Sequence, residues 1–185
     1  MLKNFVNIIL SVVFLSVIAS FSACSSDGNV DYTTRKIDNQ QKESLEKANR
    51  YLFLKEKETI NEYIERHNID VVETGTGLCY RIVKQGDTKK IVKGDVVTME
   101  YEVRFLTGEL VYSSKEDGPK VFVVGRGGVE SGLEEAVLHL HKGDIAEIII
   151  PSHLAHGLIG DGRRINTRKP IVYRVKIIEN KSNNN

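Results

Sequence analysis

The chain has 185 residues, of which 41% are hydrophobic and 28% charged, and its formal net charge is +1. That length suits one domain with accessory segments and is short for two full domains. The near-neutral balance gives no electrostatic reason to expect nucleic acid as a partner, and two cysteines cannot build a disulfide framework.

In chain order, Lys3 is the only charge before an apolar run from Phe5 to Ile18, followed by the small residues Ala19 and Ser20. This is the plan of a bacterial export signal. The run is shorter than the roughly 20 apolar residues that span a bilayer. Phe21-Ser22-Ala23-Cys24 resembles a lipobox, with Phe in place of the usual Leu. The expected organisation is a lipoprotein signal peptide over 1–23, with Cys24 lipidated and a flexible tether over 24–40. Acylation of Cys24 leaves Cys79 alone, and the reading for Cys79 is a small buried apolar residue.

From Gln41 to about His67 the pattern is helical, and an N-terminal helix is expected over 41–69. Leu45, Ala48, Leu52, Ile60, Tyr63 and Ile64 fall on one face, interrupted at Glu56 and Thr59. So gapped a stripe favours packing against the following domain over helix–helix dimerisation. Gly75 and Gly77 are read as the end of the helical region.

Strand signals then recur, and the domain is expected over 76–180 with a disordered tail over 181–185. Segments 78–84, 96–105, 110–113, 121–124, 145–150 and 171–178 alternate or run apolar between turn signals. The clearest is 96–105, with Val97, Met99, Tyr101, Val103 and Phe105 on one side. One helix interrupts the strands. Ser131 and Glu134 have capping-box spacing, Leu133, Ala136, Val137 and Leu140 make an apolar stripe, and His141-Lys142-Gly143 reads as the stop. A helix of about ten residues is too short to stand alone and must lie on the sheet. The fold class is α+β: an antiparallel β-sheet wrapped over one short helix, preceded by a long N-terminal helix.

These pieces, in this order and spacing, resemble the FKBP family of peptidyl-prolyl cis-trans isomerases over about residues 76 to 178. Val124 to Ala136 resembles the family's strand–turn–helix signature, Lys142-Gly143-Asp144 the turn after it, and Ile150 to Gly157 the opening of the active-site flap. Gly77-Leu78-Cys79-Tyr80 is similar to the domain start in exported members. The resemblance implies rotation about X–Pro bonds, whose barrier is about 20 kcal/mol because the amide loses resonance as it twists. No covalent bond breaks. An apolar, aromatic-lined pocket binds the twisted amide better than the planar one, and donors hold its carbonyl oxygen. No cofactor is implied.

The resemblance also implies site residues. Tyr101 matches the pocket tyrosine, Val129 matches directly, and the Glu130 N–H stands where a backbone donor holds the substrate carbonyl. Ile165 matches an apolar flap contact. Tyr173 stands where the family usually has Phe, Leu133 where it has the Trp floor, and His156 where it has the flap Tyr. Val111-Tyr112 replaces Phe-Asp, Lys120 replaces a pocket Phe, and Asp161-Gly162-Arg163-Arg164 replaces a more apolar flap run. Tyr101, Tyr112 and His156 are the expected catalytic groups, with Val111, Lys120, Val129, Glu130, Leu133, Ile165 and Tyr173 binding substrate. The replacements imply weakened macrolide binding and a slower isomerase.

His139-Leu140-His141 and His153 to His156 lack the i, i+4 spacing of a helical metal site and have no accompanying Cys or carboxylate cluster, so no metal is expected. Arg163, Arg164, Arg168 and Lys169 make the flap basic, as a solvated loop or a dock for acidic segments. The signal and domain together resemble FKBP-type lipoproteins of the Bacteroidetes group, some associated with gliding motility and secretion. That implies an envelope protein, lipid-anchored at Cys24, with proline-containing polypeptide clients and an envelope protein complex as partner. The alternative reading is a catalytically weak module that uses the same pocket to grip a partner.

Overall fold

The computed structural model describes residues 39–87 and 89–182. The signal, Cys24 and nearly all of the tether lie outside the described residues, as do 183–185. The chain divides into two units, 1–43 and 44–185, and of the first only the opening of a helix over 39–43 is described.

Helix α1 spans Asn39–Arg66. The long N-terminal helix expected over 41–69 is present and ends three residues short of that bound, well before Gly75 and Gly77. Asn68 adopts a left-handed conformation (φ 49°), which a short polar side chain tolerates. The Asn68 N–H then bonds to the Glu65 carbonyl and the Ile69 N–H to the Ile64 carbonyl, closing the helix with a Schellman motif. A two-residue strand, β1 (Val72–Glu73), follows before the glycines.

The other strands are β2 (Cys79–Lys84), β3 (Val96–Phe105), β4 (Leu110–Ser113), β5 (Lys120–Val123), β6 (Ile145–Ile150) and β7 (Ile171–Lys181). The described strands form a seven-stranded antiparallel sheet in the order β1-β2-β6-β7-β3-β4, with β5 beside the first half of β3. Strand β7 continues to Lys181, past the expected end of the domain, because its last residues pair with Val96 to Thr98 of β3. A short helix, α2 (Ser114–Asp117), leaves β4, and α3 (Ser131–Val137) lies on the sheet.

Alternation along the strands makes two cores. Val97, Met99, Tyr101 and Val103 of β3, Ile148 and Ile150 of β6, and Ile171, Tyr173 and Val175 of β7 face Leu133, Ala136 and Val137 of α3. The intervening Ile149 and Val172, with Cys79, face the opposite way onto Ile60 and Tyr63 of α1 and onto Ile69. Each fully buried large apolar side chain contributes about 1.5–3 kcal/mol, so these contacts fix the second half of α1 against the sheet. The first half does not join this packing, although its apolar residues belong to the expected face: Leu45, Ala48 and Leu52 are exposed.

Helix α3 is also shorter than expected. Glu130, not Ser131, is its N-cap residue, and there is no capping box. Ser131 Oγ instead donates to the Leu154 carbonyl, and Glu134 Oε1 accepts from the Gly127 N–H. His141 lies beyond the helix end, where the buried Asp144 carboxylate takes the His141 N–H and approaches its Nδ1 at 3.4 Å. Gly132 places α3 tight against β6: a Cβ there would meet Ile150 Cγ2 at 2.4 Å.

Candidate functional site

The site forms where β3, β7, β5, the N-terminal end of α3 and the loop from 155 to 170 converge. Tyr101 and Tyr173 point to the α3 side of neighbouring strands because both occupy inward positions of the alternation, and their ring centroids lie 6.1 Å apart. Lys120, the first residue of β5, extends across both rings, its Nζ 5.2 Å from the Tyr101 centroid and 5.9 Å from that of Tyr173.

The Glu130 side chain is the hub. It is only 9% exposed. Tyr173 Oη donates to Glu130 Oε1 at 2.9 Å, and His156 Nε2 approaches the same oxygen at 3.2 Å. Glu130 Oε2 is buried without a hydrogen-bond partner among the described residues, and Lys120 Nζ stands 3.9 Å away. Burial pushes the Tyr173 hydroxyl far above its ordinary pKa, and the adjacent Glu130 charge and hydrogen bond push the same way. Burial likewise raises Tyr101, helped by Asp117, Glu130 and Tyr112. Both phenols are therefore neutral donors across the physiological range.

The other side of the site is the flap. Tyr112 Oη donates to Asp161 Oδ2 in a short hydrogen bond. Asp161 Oδ1 accepts the N–H groups of Arg163 and Ile165, each at 2.8 Å. Desolvation would raise the Asp161 pKa, but the bonds from Tyr112, Arg163 and Ile165 and the nearby His156 outweigh it and hold the carboxyl at about 2. The Arg164 guanidinium lies 5.3 Å from the Tyr112 ring centroid and donates to the Val111 carbonyl at 2.6 Å. Arg164 and Arg168 thus each have protein partners, while Arg163, Arg164 and Lys169 remain exposed on the basic loop. Arg168 donates to Asn49 of α1.

The sequence-predicted residues therefore converge. Tyr101, Val111, Leu133, Ile165 and Tyr173 share one buried cluster with Tyr112 and Val129 at its edge, and Lys120, Glu130 and His156 meet above the two tyrosines. The Glu130 N–H meets no acceptor among the described residues, whereas its carbonyl caps α3 through Leu133 and Glu134. A groove of about 370 Å³ lies elsewhere, over Glu100, Glu102, Arg174 and Lys176, and of the predicted residues only Tyr101 reaches it.

Sequence reasoning assigned Glu130 only a backbone role and gave Asp161 none. The available signal was Tyr173: a phenol in place of a buried Phe requires an acceptor, and an acid at 130 supplies one. The sequence reading of a greasy cleft is corrected to this extent: a buried carboxylate with three polar neighbours occupies its centre.

Chemically, the arrangement offers two aromatic faces, a backbone donor at Glu130 and an imidazole on the flap. Two of these could grip a prolyl ring and two its flanking carbonyls.

Comparison with known proteins places the chain among its relatives. The family model for FKBP-type peptidyl-prolyl cis-trans isomerase matches residues 87–178. The "Probable FKBP-type peptidyl-prolyl cis-trans isomerase FkpA" of Neisseria meningitidis is 39% identical over 110 residues, 59% of this chain but 40% of that protein. FK506-binding protein 2 of Yarrowia lipolytica is 31% identical over 103 residues, 55% of this chain and 72% of that protein. The crystal structure of FkpA from Escherichia coli superposes with a TM-score of 0.61 at 23% identity, covering 93% of this chain and 82% of that one, a likeness of fold. On its sequence relatives and its fold, the chain belongs to the FKBP-type peptidyl-prolyl cis-trans isomerase family.

Proposed function

We propose that the protein is a peptidyl-prolyl cis-trans isomerase acting on proline-containing segments of exported proteins in the cell envelope. The observation that carries this reading is the convergence of Tyr101, Tyr173, His156 and the Glu130 N–H at one site in a member of this family. Twisting an X–Pro amide reduces its dipole, so the transition state suits the tyrosine-lined floor better than water does. The Glu130 N–H and the His156 imidazole hold the flanking carbonyls, which adds preorganised donors without moving a proton or breaking a bond.

The envelope assignment rests on the export-type N-terminus and on relatives bearing names such as "Outer membrane protein MIP" of Legionella longbeachae. Cys24 is the lipid-anchor site in this reading, and two or more acyl chains give a stable anchor, each buried CH₂ adding about 0.8 kcal/mol. A role in a gliding or secretion complex is the finer form of the same proposal.

A second reading is favoured by one observation: the Lys120 ammonium lies over the tyrosine faces that a prolyl ring needs. It makes the domain a weakly catalytic module that grips a partner. NMR exchange on an Ala-Pro-Phe peptide decides between them. Exchange faster than buffer supports the isomerase, while binding with an unchanged exchange rate supports the module and sinks the enzyme. For the anchor, Cys24→Ala moves the protein to the soluble fraction, and retention in the membrane refutes lipidation.

A further inference from the structure

Asn49, Phe53 and Glu56 lie at i, i+4 and i+7 on α1, so they share one face of that helix. All three touch the segment that carries His156. Glu56 Oε1 accepts the Ser152 N–H at 2.7 Å and Glu56 Oε2 accepts the Ser152 hydroxyl at 2.6 Å. Phe53 lies 5.7 Å from the His153 ring, centroid to centroid. Arg168 Nη2 donates to Asn49 Oδ1 at 2.9 Å.

The flap closes the circuit. The Ser152 carbonyl accepts the Gly157 N–H at 2.7 Å, and the Gly157 carbonyl accepts the Arg168 N–H at 2.8 Å. The hydrogen bonds therefore run from Glu56 to Ser152, to Gly157, to Arg168, and back to α1 at Asn49, two turns from where they left. His156, which meets Glu130 in the site, precedes Gly157 directly. Ser152 is 7% exposed, so its two hydrogen bonds to the Glu56 carboxylate are partly shielded from water. A pocket of about 90 Å³ bordered by Phe53, Glu56, Ser152, Gly157 and Arg168 opens between α1 and the flap. Packing there is incomplete, and the polar bonds join the two segments across it.

We propose that Glu56 is a positioning residue for the isomerase site, and that α1 acts through Glu56 and Asn49 as a clamp on the two stems of the flap, setting where His156 stands relative to Glu130. Helix α1 is then a functional part of the catalytic domain as well as the connection towards the N-terminus. The proposal rests on the isomerase reading for its rate effects and on geometry alone for the placement of His156.

The test compares full-length wild type with Glu56→Ala, Glu56→Gln and the control Lys57→Ala, which breaks only the neighbouring exposed pair with Glu73. The measurements are kcat and KM for a prolyl peptide and the His156 imidazole resonances by NMR. Glu56→Ala is expected to lower kcat/KM at least fivefold, mostly through kcat, and to shift the His156 signals. Glu56→Gln, whose amide can accept the Ser152 N–H and donate to its hydroxyl, recovers at least half of the wild-type value, and Lys57→Ala changes neither readout. Should Glu56→Ala not fold, Ser152→Ala, which loses the hydroxyl bond alone, is expected to give a two- to threefold loss with a smaller His156 shift. Unmoved His156 signals with kcat/KM within twofold of wild type overturn the proposal. An inactive wild type sinks the isomerase reading instead, and the His156 shift still decides the clamp.

Discussion

The Tyr173 hydroxyl donates to Glu130 Oε1 at 2.9 Å, joining the start of β7 to the N-terminal flank of α3 across 43 residues of sequence. Both groups are buried, so each requires the other. An acid alone would be an unpaired charge in a core, and a phenol alone an unsatisfied donor. The pair makes the centre of the site polar while the fold around it remains that of its relatives.

Replacing Tyr173 by Phe tests that dependence. The ring packing survives, but Glu130 loses its strongest donor while staying buried. A lost hydrogen bond to a buried charged group costs about 1–3 kcal/mol. Denaturant unfolding is expected to show destabilisation in that range, with most of it relieved in the double variant Tyr173→Phe, Glu130→Gln. Equal costs with and without the carboxylate would mean that the bond contributes little.

Among the described residues, Lys120 covers the two ring faces without a close hydrogen bond to hold it there, its nearest anionic atom being 3.9 Å away. A cation over an aromatic ring contributes about 0.5–2 kcal/mol, and a substrate prolyl ring must displace it. Lys120→Ala is therefore expected to raise kcat/KM for an uncharged Ala-Pro peptide about threefold to tenfold while lowering the melting temperature, because Glu130 loses its cation. A fall in activity would assign Lys120 to substrate binding instead.

The pH dependence of the flap follows from Asp161. Its carboxyl is held at about 2 in the folded chain, against a free value of about 3.9. A depressed pKa adds stability that is complete above the unfolded value and disappears as pH falls through the folded one. Asp161 is partly exposed, so solvent screening limits the contribution to about 1 kcal/mol. Asp161→Asn is expected to cost about that much at pH 7. The gap to wild type should narrow between pH 4 and pH 2 in parallel unfolding titrations, and a gap that stays constant across this window contradicts the assignment.

Cys79 sits 4% exposed between the sheet and α1, and burial pushes its thiol up to about 11. The thiolate is the reactive form, so a thiol reagent at pH 8 is expected to label the native protein at least a hundredfold more slowly than the urea-unfolded one. The sequence reading of Cys79 as a small apolar residue agrees with its place in the core under Ile60 and Tyr63.

Much of the fold was legible because alternation is a strong local signal. The bounds of β3, β4 and β6 agree with those read from the sequence. Helix α3 was misjudged at both ends for physical reasons: Ser131 is already inside the helix, so its hydroxyl turns to Leu154, and Leu140 stays buried beyond the last turn. At the site, strand alternation gave Tyr101 its inward direction, and the family resemblance pointed to Tyr101 and Tyr173. Glu56 could not. On a helical wheel it interrupts the apolar stripe, and only the return of the chain 96 residues later at Ser152 gives its carboxylate a purpose. Polar contacts between distant segments leave no periodic trace.

Gly132 provides the sharpest test of how α3 is seated. It is buried in the first turn of the helix, and a Cβ built on its backbone would stand 2.4 Å from Ile150 Cγ2 and 3.1 Å from Leu154. In an open helix, Gly→Ala gains about 1 kcal/mol from propensity. Here overpacking costs about 1–3 kcal/mol, and the contact is with a core strand that cannot yield freely. The sum is expected to be a net loss of roughly 1–2 kcal/mol, with the sign opposite to the propensity rule. Moving α3 away from β6 also moves Glu130 at its N-cap, so the variant should lose isomerase activity beyond what its residual stability explains. Reducing Ile150 to Val removes only one methyl from that neighbour and leaves Cγ2 in place, whereas Ile150→Ala removes the clashing atom. Gly132→Ala should therefore be far less damaging, or even neutral, when it is introduced into Ile150→Ala, measured as a double-mutant cycle in urea. Strict additivity across that cycle would mean that the close approach of α3 to β6 is not what Gly132 provides.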